Sequence, residues 1–278
     1  MILLQSAAMR FFMRGLPVAL LLAAWAATAA EIGPVAVPAA AAELVPGDAE
    51  LEAQGARIGS VTLRIQPIFD PDKPGEKKAI FRLADQWHID TRESAIRAQL
   101  LFSSGDPYSR RLLDETERNL RDLRFVREPV IRVVGYHDGL VDLEVVTHDV
   151  WTLNPGVSYG RAGGKNSGSI QLEELNLLGY GKHVAIDYSN NVDRSSYTLK
   201  WVDPNVAGSR WRDTITVTDS DDGNGATFVL ERPFFSLDTR WSTGLSFESD
   251  DSIKGVYRLG RRVAEYRQDT KNGDIHYG

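Results

Sequence analysis

The stretch "RWSTGLSFES", residues 240–249, alternates strictly between two kinds of side chain. Successive side chains of a β-strand point to opposite faces of the sheet, so this stretch has one apolar and one polar face. The apolar face carries Trp241, Thr243, Leu245 and Phe247. In a soluble sheet such a face packs against a core, whereas in a membrane barrel it faces lipid and the polar face lines the lumen.

Four further stretches of the C-terminal half repeat this alternation: residues 183–189, 197–202, 212–218 and 226–231. Each has one apolar face and one face of Thr, Ser and charged residues. Trp201, Trp211 and Trp241 lie at or near the ends of these predicted strands, as the aromatic girdle of a membrane barrel does. We therefore predict that the apolar faces meet lipid. A soluble sandwich, which alternates in the same way, is the alternative.

The composition restricts the possible functions. The 278 residues carry a formal net charge of -6 without a long basic block, so nucleic acid is not an expected partner. Beyond the N-terminus no apolar run reaches the ~20 residues of a membrane-spanning helix. The chain has no cysteine, which excludes disulfides, thiolate catalysis and cysteine-based zinc sites.

The N-terminus has the pattern of a secretory signal peptide. Arg10 and Arg14 precede "GLPVALLLAAWAATAA", residues 15–30, which is a short apolar core that ends in small residues. We predict a cleaved signal peptide over residues 1–29; a retained membrane anchor is the alternative. Residues 30–57 are rich in Ala, Pro and Glu and are predicted to be a flexible leader. The predicted destination is the periplasm or outer membrane of a Gram-negative bacterium.

Residues 58–152 are predicted to form a small α+β module of order β-α-α-β-β. Thr91 and Ser109 are the expected N-caps of its two helices, and His137-Asp138-Gly139 marks a hairpin turn. A turn-rich loop is expected at residues 70–78. The predicted elements are a strand at 58–69, a helix at 91–101, a helix at 109–123, and strands at 129–136 and 140–148.

This order of elements resembles that of a POTRA domain. Two stretches of sequence carry the same resemblance: "LLFSSGDPYSRRLLDETERNLRDLRF" and "VDLEVVTHDVWTLNP". POTRA domains are the periplasmic modules of the outer-membrane barrel assembly superfamily, which includes BamA- and TamA-like proteins, the bacterial surface antigen family and two-partner secretion transporters. The resemblance implies a domain without a catalytic centre that receives unfolded clients by strand addition at an exposed sheet edge. An unrelated three-stranded α/β domain is the alternative.

Residues 153–278 resemble the N-terminal part of the barrel in that superfamily. "SIQLEELNLLGYGKHVAIDYS" is similar to the motif with which family barrels begin, and "YTLKWVDPNV" is similar to a second family signature. The matching residues are Glu174, Asn176, Leu178, Gly179, Gly181, Asp203 and Pro204. The alternation slips in phase near Glu174, where a β-bulge is expected. Asp203-Pro204 is also predicted to end a strand by a turn.

This region has room for about seven or eight antiparallel transmembrane strands, roughly half the number in family barrels. The barrel is therefore predicted to be incomplete in this chain, because open sheet edges in lipid leave backbone groups unsatisfied. The alternative is a complete eight-stranded barrel that pairs strand 153–163 with strand 255–267.

The sequence predicts no catalytic, cofactor or metal site, and no enzyme. The five histidines are scattered without a ligand spacing. Glu173 and Glu174 are adjacent on a predicted strand and so point to opposite faces, which is poor geometry for a carboxylate pair acting on one bond.

The resemblance implies a protein that inserts, assembles or translocates other polypeptides, or lipid, at the outer membrane. Its implied partners are unfolded outer-membrane or secreted clients, outer-membrane lipid and periplasmic partner subunits, with the module in the periplasm. The implied barrel seam is the first strand, "NPGVSYGRAGG", in which Pro155 lacks an N–H group and glycines weaken pairing. The candidate seam residues are Pro155, Gly156, Val157, Tyr159 and Gly160.

Three other functions remain open from the sequence. A two-partner secretion transporter would export one dedicated client. A passive structural or pore-forming barrel would need no client-docking module. A periplasmic enzyme would need a convergent polar cluster, which the sequence does not indicate.

Overall fold

The computed structural model describes residues 45–68, 89–162, 165–191 and 194–278. The described elements form two sheets, one of three strands and one of eight. The predicted signal peptide 1–29 and the predicted loop 70–78 lie outside the described residues, as does the predicted leader up to residue 44.

The three-stranded sheet is formed by β1 (Arg57–Gln66), β2 (Val126–His137) and β3 (Leu140–Asp149). Its order is β1-β3-β2, with β1 parallel and β2 antiparallel to the central strand β3. Asp138 and Gly139 both have positive φ, at 50° and 78°, and so make the tight hairpin turn that the sequence predicts.

In the described residues three helices accompany this sheet: α1 (Asp48–Ala53), α2 (Glu93–Arg97) and α3 (Arg110–Arg121). Among the described residues no helix is long and apolar enough to cross a bilayer. Among the described residues these elements follow in the order α1-β1-α2-α3-β2-β3, and residues 69–88 between β1 and α2 lie outside the described part. The helices and the sheet together bury one apolar core, which includes Ile58, Ile96, Leu113, Leu120, Val141 and Leu143.

Three sequence predictions are wrong at the helices. Residues 48–57 are not part of a flexible leader: they form α1 and the start of β1, and the side chain of Leu51 is fully buried in the core. Helix α2 is shorter than predicted, and Thr91 does not cap it. Arg92 occupies the N-cap position, while Thr91 makes other hydrogen bonds that hold it outside the helix. Ser109 is the N-cap residue of α3, although its side chain makes no capping hydrogen bond.

The eight-stranded sheet is entirely antiparallel, with every strand paired to its neighbours in sequence. Its edges are the first and last strands, which do not pair with each other, so the described strands do not close into a barrel. The number of strands agrees with the prediction, and the alternative of a closed eight-stranded barrel is wrong. The strands are β4 (Leu153–Ala162), β5 (Lys165–Glu174), β6 (His183–Asn190), β7 (Ser195–Asp203), β8 (Arg212–Ser220), β9 (Gly223–Arg232), β10 (Thr243–Arg258) and β11 (Arg261–Tyr277).

The predicted β-bulge at Glu174 is absent. Strand β5 ends there, which explains the slip in the sequence pattern.

The register of these strands places the apolar residues on one face, since directly paired residues share a face. Apolar pairs run across the sheet, among them Val157 with Ile170, Ile186 with Leu199, Ile215 with Phe228, and Phe228 with Phe247.

We call this side of the sheet the apolar face, and it is open. Val157 is 82% exposed, Leu245 39% and Phe247 47%. The opposite side carries hydroxyl and charged groups, and it lines a concave pocket of about 450 Å³ that includes Thr216, Thr218, Thr227 and Glu248. A soluble sandwich would bury the apolar face in a core. In the described residues the sheet therefore presents an open apolar face, unlike that of a sandwich.

Candidate functional site: a free edge and a joint

Strand β4 places all of the predicted seam residues on one edge of the eight-stranded sheet. Its only strand partner among the described residues is β5, so its other side has no strand along it. Glycines weaken the pair: Gly156 lies opposite Gln171, Gly160 opposite Ser167 and Tyr159 opposite Gly168. Because side-chain contacts across a strand pair supply much of its stability, β4 is held mainly by its backbone hydrogen bonds.

Polar side chains also cross the β4–β5 pair, and the Ser167 hydroxyl donates to the Gly160 carbonyl at 3.4 Å. Ser158 and Ser169 are directly paired, and their hydroxyl oxygens lie 2.8 Å apart. On the apolar face Val157 and Tyr159 are both strongly exposed. The β4 edge thus combines an open backbone with an open apolar surface.

The stretch "SIQLEELNLLGYGKHVAIDYS", which is similar to the motif with which family barrels begin, does not form a site on the strands. Its turn connects the eight-stranded sheet to the three-stranded module, and we call this contact region the joint. Asn176, which is almost fully buried, lies at its centre. Its Nδ2 donates to Thr91 Oγ1 at 2.8 Å, and its Oδ1 accepts from the Gly181 N–H at 2.6 Å. Its own N–H donates to Glu174 Oε1 at 2.7 Å. One amide therefore ties the β5–β6 turn both to itself and to the module.

The network continues into the three-stranded sheet. The Thr91 N–H donates to Asp149 Oδ2 at 2.7 Å, and Asp149, the last residue of β3, is buried. The chain from Asp149 through Thr91 to Asn176 thus links the end of the central module strand to the first long turn of the eight-stranded sheet.

At two positions of the motif a side chain would clash with the module, and the backbone adopts a conformation that favours glycine. Gly179 and Gly181 have φ of 78° and 69°, in the region that side chains disfavour. A Cβ at Gly179 would lie 2.3 Å from the carbonyl oxygen of Asp90, and one at Gly181 would lie 2.9 Å from Phe125 Cζ. Both glycines therefore let the turn approach the module closely.

Arg92 binds the same turn from the module side. Its N–H donates to the Gly179 carbonyl at 2.9 Å, and its Nε donates to the Leu178 carbonyl at 3.0 Å. Its guanidinium lies 4.3 Å from the ring centroid of Tyr180, a cation–π distance.

The second signature, Asp203-Pro204, holds the next turn on this end of the sheet. Strand β7 ends at Asp203, as predicted. The Asp203 carboxylate accepts from the Asn205 N–H at 3.0 Å and pairs with Lys182 Nζ at 2.9 Å. Since Lys182 follows the first turn, the ion pair joins the two turns.

The β7–β8 turn also contacts the module directly. Arg210 donates to the carbonyl oxygens of Ala98 at 2.7 Å and Leu100 at 2.5 Å, which follow α2. Gln99 donates to the side chain of Asn205. Burial, and secondarily the charge of Arg232, lowers the pKa of Arg210. Carbonyl acceptors partly replace the water that this guanidinium loses.

A third turn, between β9 and β10, contacts α3. Asn119 Nδ2 donates to the Phe235 carbonyl at 3.0 Å, and the buried carboxylate of Glu115 accepts from the Leu237 N–H at 2.6 Å. Arg111 pairs with Asp238 at 2.5 Å. All three long turns of the eight-stranded sheet therefore meet the module.

Glu173 and Glu174 point apart, as predicted, and both serve this joint. The Glu173 carboxylate accepts two hydrogen bonds from Arg124, which lies between α3 and β2. Nη1 donates to Oε1 at 3.1 Å and Nη2 donates to Oε2 at 3.3 Å. His183 Nε2 lies 3.0 Å from the same carboxylate. Glu174 instead accepts within its own turn. The two carboxylates have separate structural partners.

Sequence reasoning missed the role in the joint of four residues: Thr91, Glu115, Asn119 and Arg210. Their partners lie 58 to 122 residues away in sequence, so no local pattern marks this role. The predicted tryptophans do mark this end of the sheet. Lys182 lies 5.5 Å from the Trp201 ring centroid and Arg232 3.8 Å from that of Trp241.

Strand β2 is one edge of the three-stranded sheet. Among the described residues β3 is its only strand neighbour. One backbone donor of β2 is bound by a side chain of α3: the Ile131 N–H donates to Glu117 Oε1 at 2.7 Å. Beyond that point Val134 is half exposed.

Comparisons with known proteins support the fold of the barrel region. No family model and no curated protein matches the sequence. Among solved structures, CdiB from Acinetobacter baumannii is similar over 81% of this chain and 42% of its own, with 13% identity and a TM-score of 0.50.

Two further structures match with lower TM-scores. BamA from Haemophilus ducreyi lacking POTRA domains 1-3 has 15% identity and a TM-score of 0.46 over 78% of this chain and 43% of its own. CdiB from Escherichia coli has 12% identity and a TM-score of 0.38 over 79% and 38%. This chain spans less than half the length of each structure. The fold of this chain is thus similar to that of part of the Acinetobacter baumannii CdiB structure.

Proposed function

We propose that the chain acts at the outer membrane of a Gram-negative bacterium as a factor that assembles, inserts or translocates other polypeptides. Clients are bound by β-strand addition, first at β2 of a periplasmic POTRA-like module and then at β4 of the barrel. The action is mechanical and uses no catalytic centre. Unfolded outer-membrane or secreted proteins are the clients, with outer-membrane lipid and periplasmic subunits as further partners.

The observation that carries the proposal is the open edge of β4. A strand edge presents unpaired N–H and C=O groups that another strand can pair with. In lipid each unsatisfied backbone group costs several kcal/mol, so an added client strand is strongly favoured there. The glycines of β4 leave its pairing with β5 weak in side-chain contacts, which favours exchange of strands.

The joint supports a path from one edge to the other. The hydrogen bonds from Asp149 to Asn176, and from Arg210 to the carbonyls after α2, attach the module to two barrel turns. Those of Asn119 and Glu115 attach it to the third. A client that leaves β2 therefore remains beside the sheet that contains β4.

Single cysteines test the β4 proposal cleanly because the chain has none of its own. Val157→Cys places a thiol on the open edge, and Leu199→Cys places one on β7, which is paired on both sides. Oxidation with an unfolded outer-membrane client that carries one cysteine should crosslink Val157→Cys and not Leu199→Cys. Equal crosslinking of both variants, or of neither, contradicts strand addition at β4.

A two-partner secretion transporter is the second candidate, because the structure with a TM-score of 0.50 is a CdiB and the fold is shared. The same crosslink separates the two functions. An assembly factor should accept several unrelated outer-membrane clients at residue 157, whereas a dedicated transporter should accept only one secreted polypeptide. A passive pore should accept none.

A further inference from the structure

The last two strands extend well beyond the rest of the eight-stranded sheet. The pairing of β10 with β9 stops at Ser252, whereas its pairing with β11 continues to Arg258. At about 3.3 Å per residue, the six residues beyond Ser252 extend the hairpin by about 20 Å. We call residues 253–267 the projecting hairpin.

The projecting hairpin lies at the end of the sheet opposite the joint. The β9–β10 turn, which contacts α3, precedes β10, so the β10–β11 turn lies at the other end of these strands. If the module is periplasmic, as the proposed function requires, the projecting hairpin lies on the outer side of the membrane.

The charge of the projecting hairpin is opposite to that of the whole chain. It carries five basic residues and the single acid Glu265, although the chain carries a net charge of -6. Lys254 and Arg267 pair with Asp250 and Asp251 on the adjoining part of β10, so the excess positive charge lies at the tip. The basic residues are Lys254, Arg258, Arg261, Arg262 and Arg267. Exposed apolar side chains lie among them, and Leu259 at the tip is 97% exposed.

The arginines at the tip face each other. Arg258 and Arg261 are directly paired across the strands, and like charges in such a pair repel. In the part of the chain that the structure describes, no carboxylate forms an ion pair with either of them. Arg262 lies beside them and pairs with Glu265 at 2.9 Å. A bound anion would relieve this repulsion.

We propose that the projecting hairpin binds the phosphate groups of a phosphorylated glycolipid in the outer leaflet, of the lipopolysaccharide class. Arginine binds phosphate oxygens through two parallel N–H groups, and a mixture of basic and aromatic side chains suits a membrane interface. Strand β10, which leads to the tip, also carries Leu245 and Phe247 of the apolar face. In the proposed location, lipid therefore lies next to the part of β10 that precedes the projecting hairpin. This inference rests on the proposed outer-membrane location but not on client binding.

The test uses the full chain in a non-ionic detergent, with lipopolysaccharide as the probe and binding measured by fluorescence titration. The triple variant Arg258→Gln, Arg261→Gln, Arg262→Gln removes the tip charges. Each basic residue near an anionic lipid surface contributes about a five-fold gain in affinity, so the triple variant should bind on the order of 100-fold more weakly.

A matched control removes the same charge from the module. Arg97→Gln, Arg118→Gln, Arg121→Gln changes exposed positions of α2 and α3 and should bind lipopolysaccharide like the unmodified chain. Dephosphorylated lipopolysaccharide and phosphatidylcholine should bind the unmodified chain weakly. An unchanged affinity of the tip variant, or equal binding of the dephosphorylated glycolipid, overturns the proposal.

Two further measurements keep the proposal testable and separate from the proposed function. Lipopolysaccharide should slow hydrogen exchange of the amides of residues 256–263 in the unmodified chain, which needs no variant to fold. Full competition by inorganic phosphate or by polyglutamate would assign the tip to a free anion or an acidic polypeptide and overturn the lipid assignment. A positive crosslink at residue 157 without lipopolysaccharide binding would refute this inference alone.

Discussion

The two sheets of this protein use the same alternation of side chains in opposite ways. The three-stranded sheet buries its apolar face beneath α1, α2 and α3, where Leu51, Leu113 and Leu120 are fully buried. The eight-stranded sheet exposes its apolar face, and no described helix packs on it. The difference teaches that an alternating strand has a defined apolar face, but that its neighbours decide whether the face meets protein or lipid.

The largest expected effect sharpens this comparison with two leucine truncations. Leu120→Ala, in the module core, should lower the free energy of unfolding by about 2–5 kcal/mol, because it leaves a cavity. Leu172→Ala, on the open face of β5, should change it by about 0.5 kcal/mol or less. Urea unfolding of both variants in detergent measures the difference. Equal effects would show that the face of β5 is packed against protein.

A charge on the apolar face distinguishes lipid from water. Ile215→Arg in the middle of β8 should disfavour folding into lipid vesicles by about 2–4 kcal/mol. Thr216→Arg on the opposite face is the matched control and should have a much smaller effect, since that face lines the polar pocket. The measurement is the folded fraction in vesicles against urea concentration. A larger effect at Thr216 would reverse the assignment of the two faces.

The joint should be sensitive to loss of one amide. Asn176→Ala leaves the Gly181 N–H and the Thr91 hydroxyl without their partner, which should cost about 1–3 kcal/mol. Asn166→Ala, at an exposed position of β5, is the control. Hydrogen exchange of residues 89–100 should accelerate in the first variant only. If exchange does not change, Asn176 does not hold the module against the turn.

The smallest expected effect concerns acid stability of the module. Hydrogen bonds from the side chain and the backbone N–H of Ser60 lower the pKa of Asp142, and the nearby charge of His137 acts in the same direction. A carboxyl whose pKa is lower in the folded state stabilises the fold above its unfolded pKa, near 3.9, and this stabilisation is lost as pH falls through the folded value.

Ser60→Ala should therefore reduce stability at neutral pH and flatten its decline below about pH 4. Ser60→Thr keeps the hydroxyl and should retain the steeper decline. Urea midpoints across this range measure both slopes. A steeper acid decline in Ser60→Ala than in the unmodified chain would contradict the assigned role of Ser60.

Much of the architecture could be predicted because it depends on local patterns. The hairpin turn at Asp138-Gly139 and the end of β7 at Asp203 both follow from residues adjacent in sequence. Helix α1 was missed because only one of its residues, Leu51, is a buried apolar anchor, and a single contact leaves no period. The length of α2 was overestimated because the hydrogen bonds of Thr91 to distant residues replace its capping role.

The candidate site, too, has features that the sequence predicts and features that only the structure shows. The glycines and the proline of β4 mark a weakly paired strand from composition, but only the sheet order shows that this strand is an edge. Gly179 and Gly181 match a family motif, yet the reason for glycine lies in Asp90 and Phe125, more than fifty residues earlier.

The sequence by itself determined which side chains of each strand share a face, because alternation is a property of one extended chain. Only the tertiary structure decided that one apolar face is covered and the other open, that β4 lies at an edge of the described sheet, and that three turns meet the module. Those features depend on contacts between residues far apart in the chain, and such contacts leave no periodic trace in the sequence.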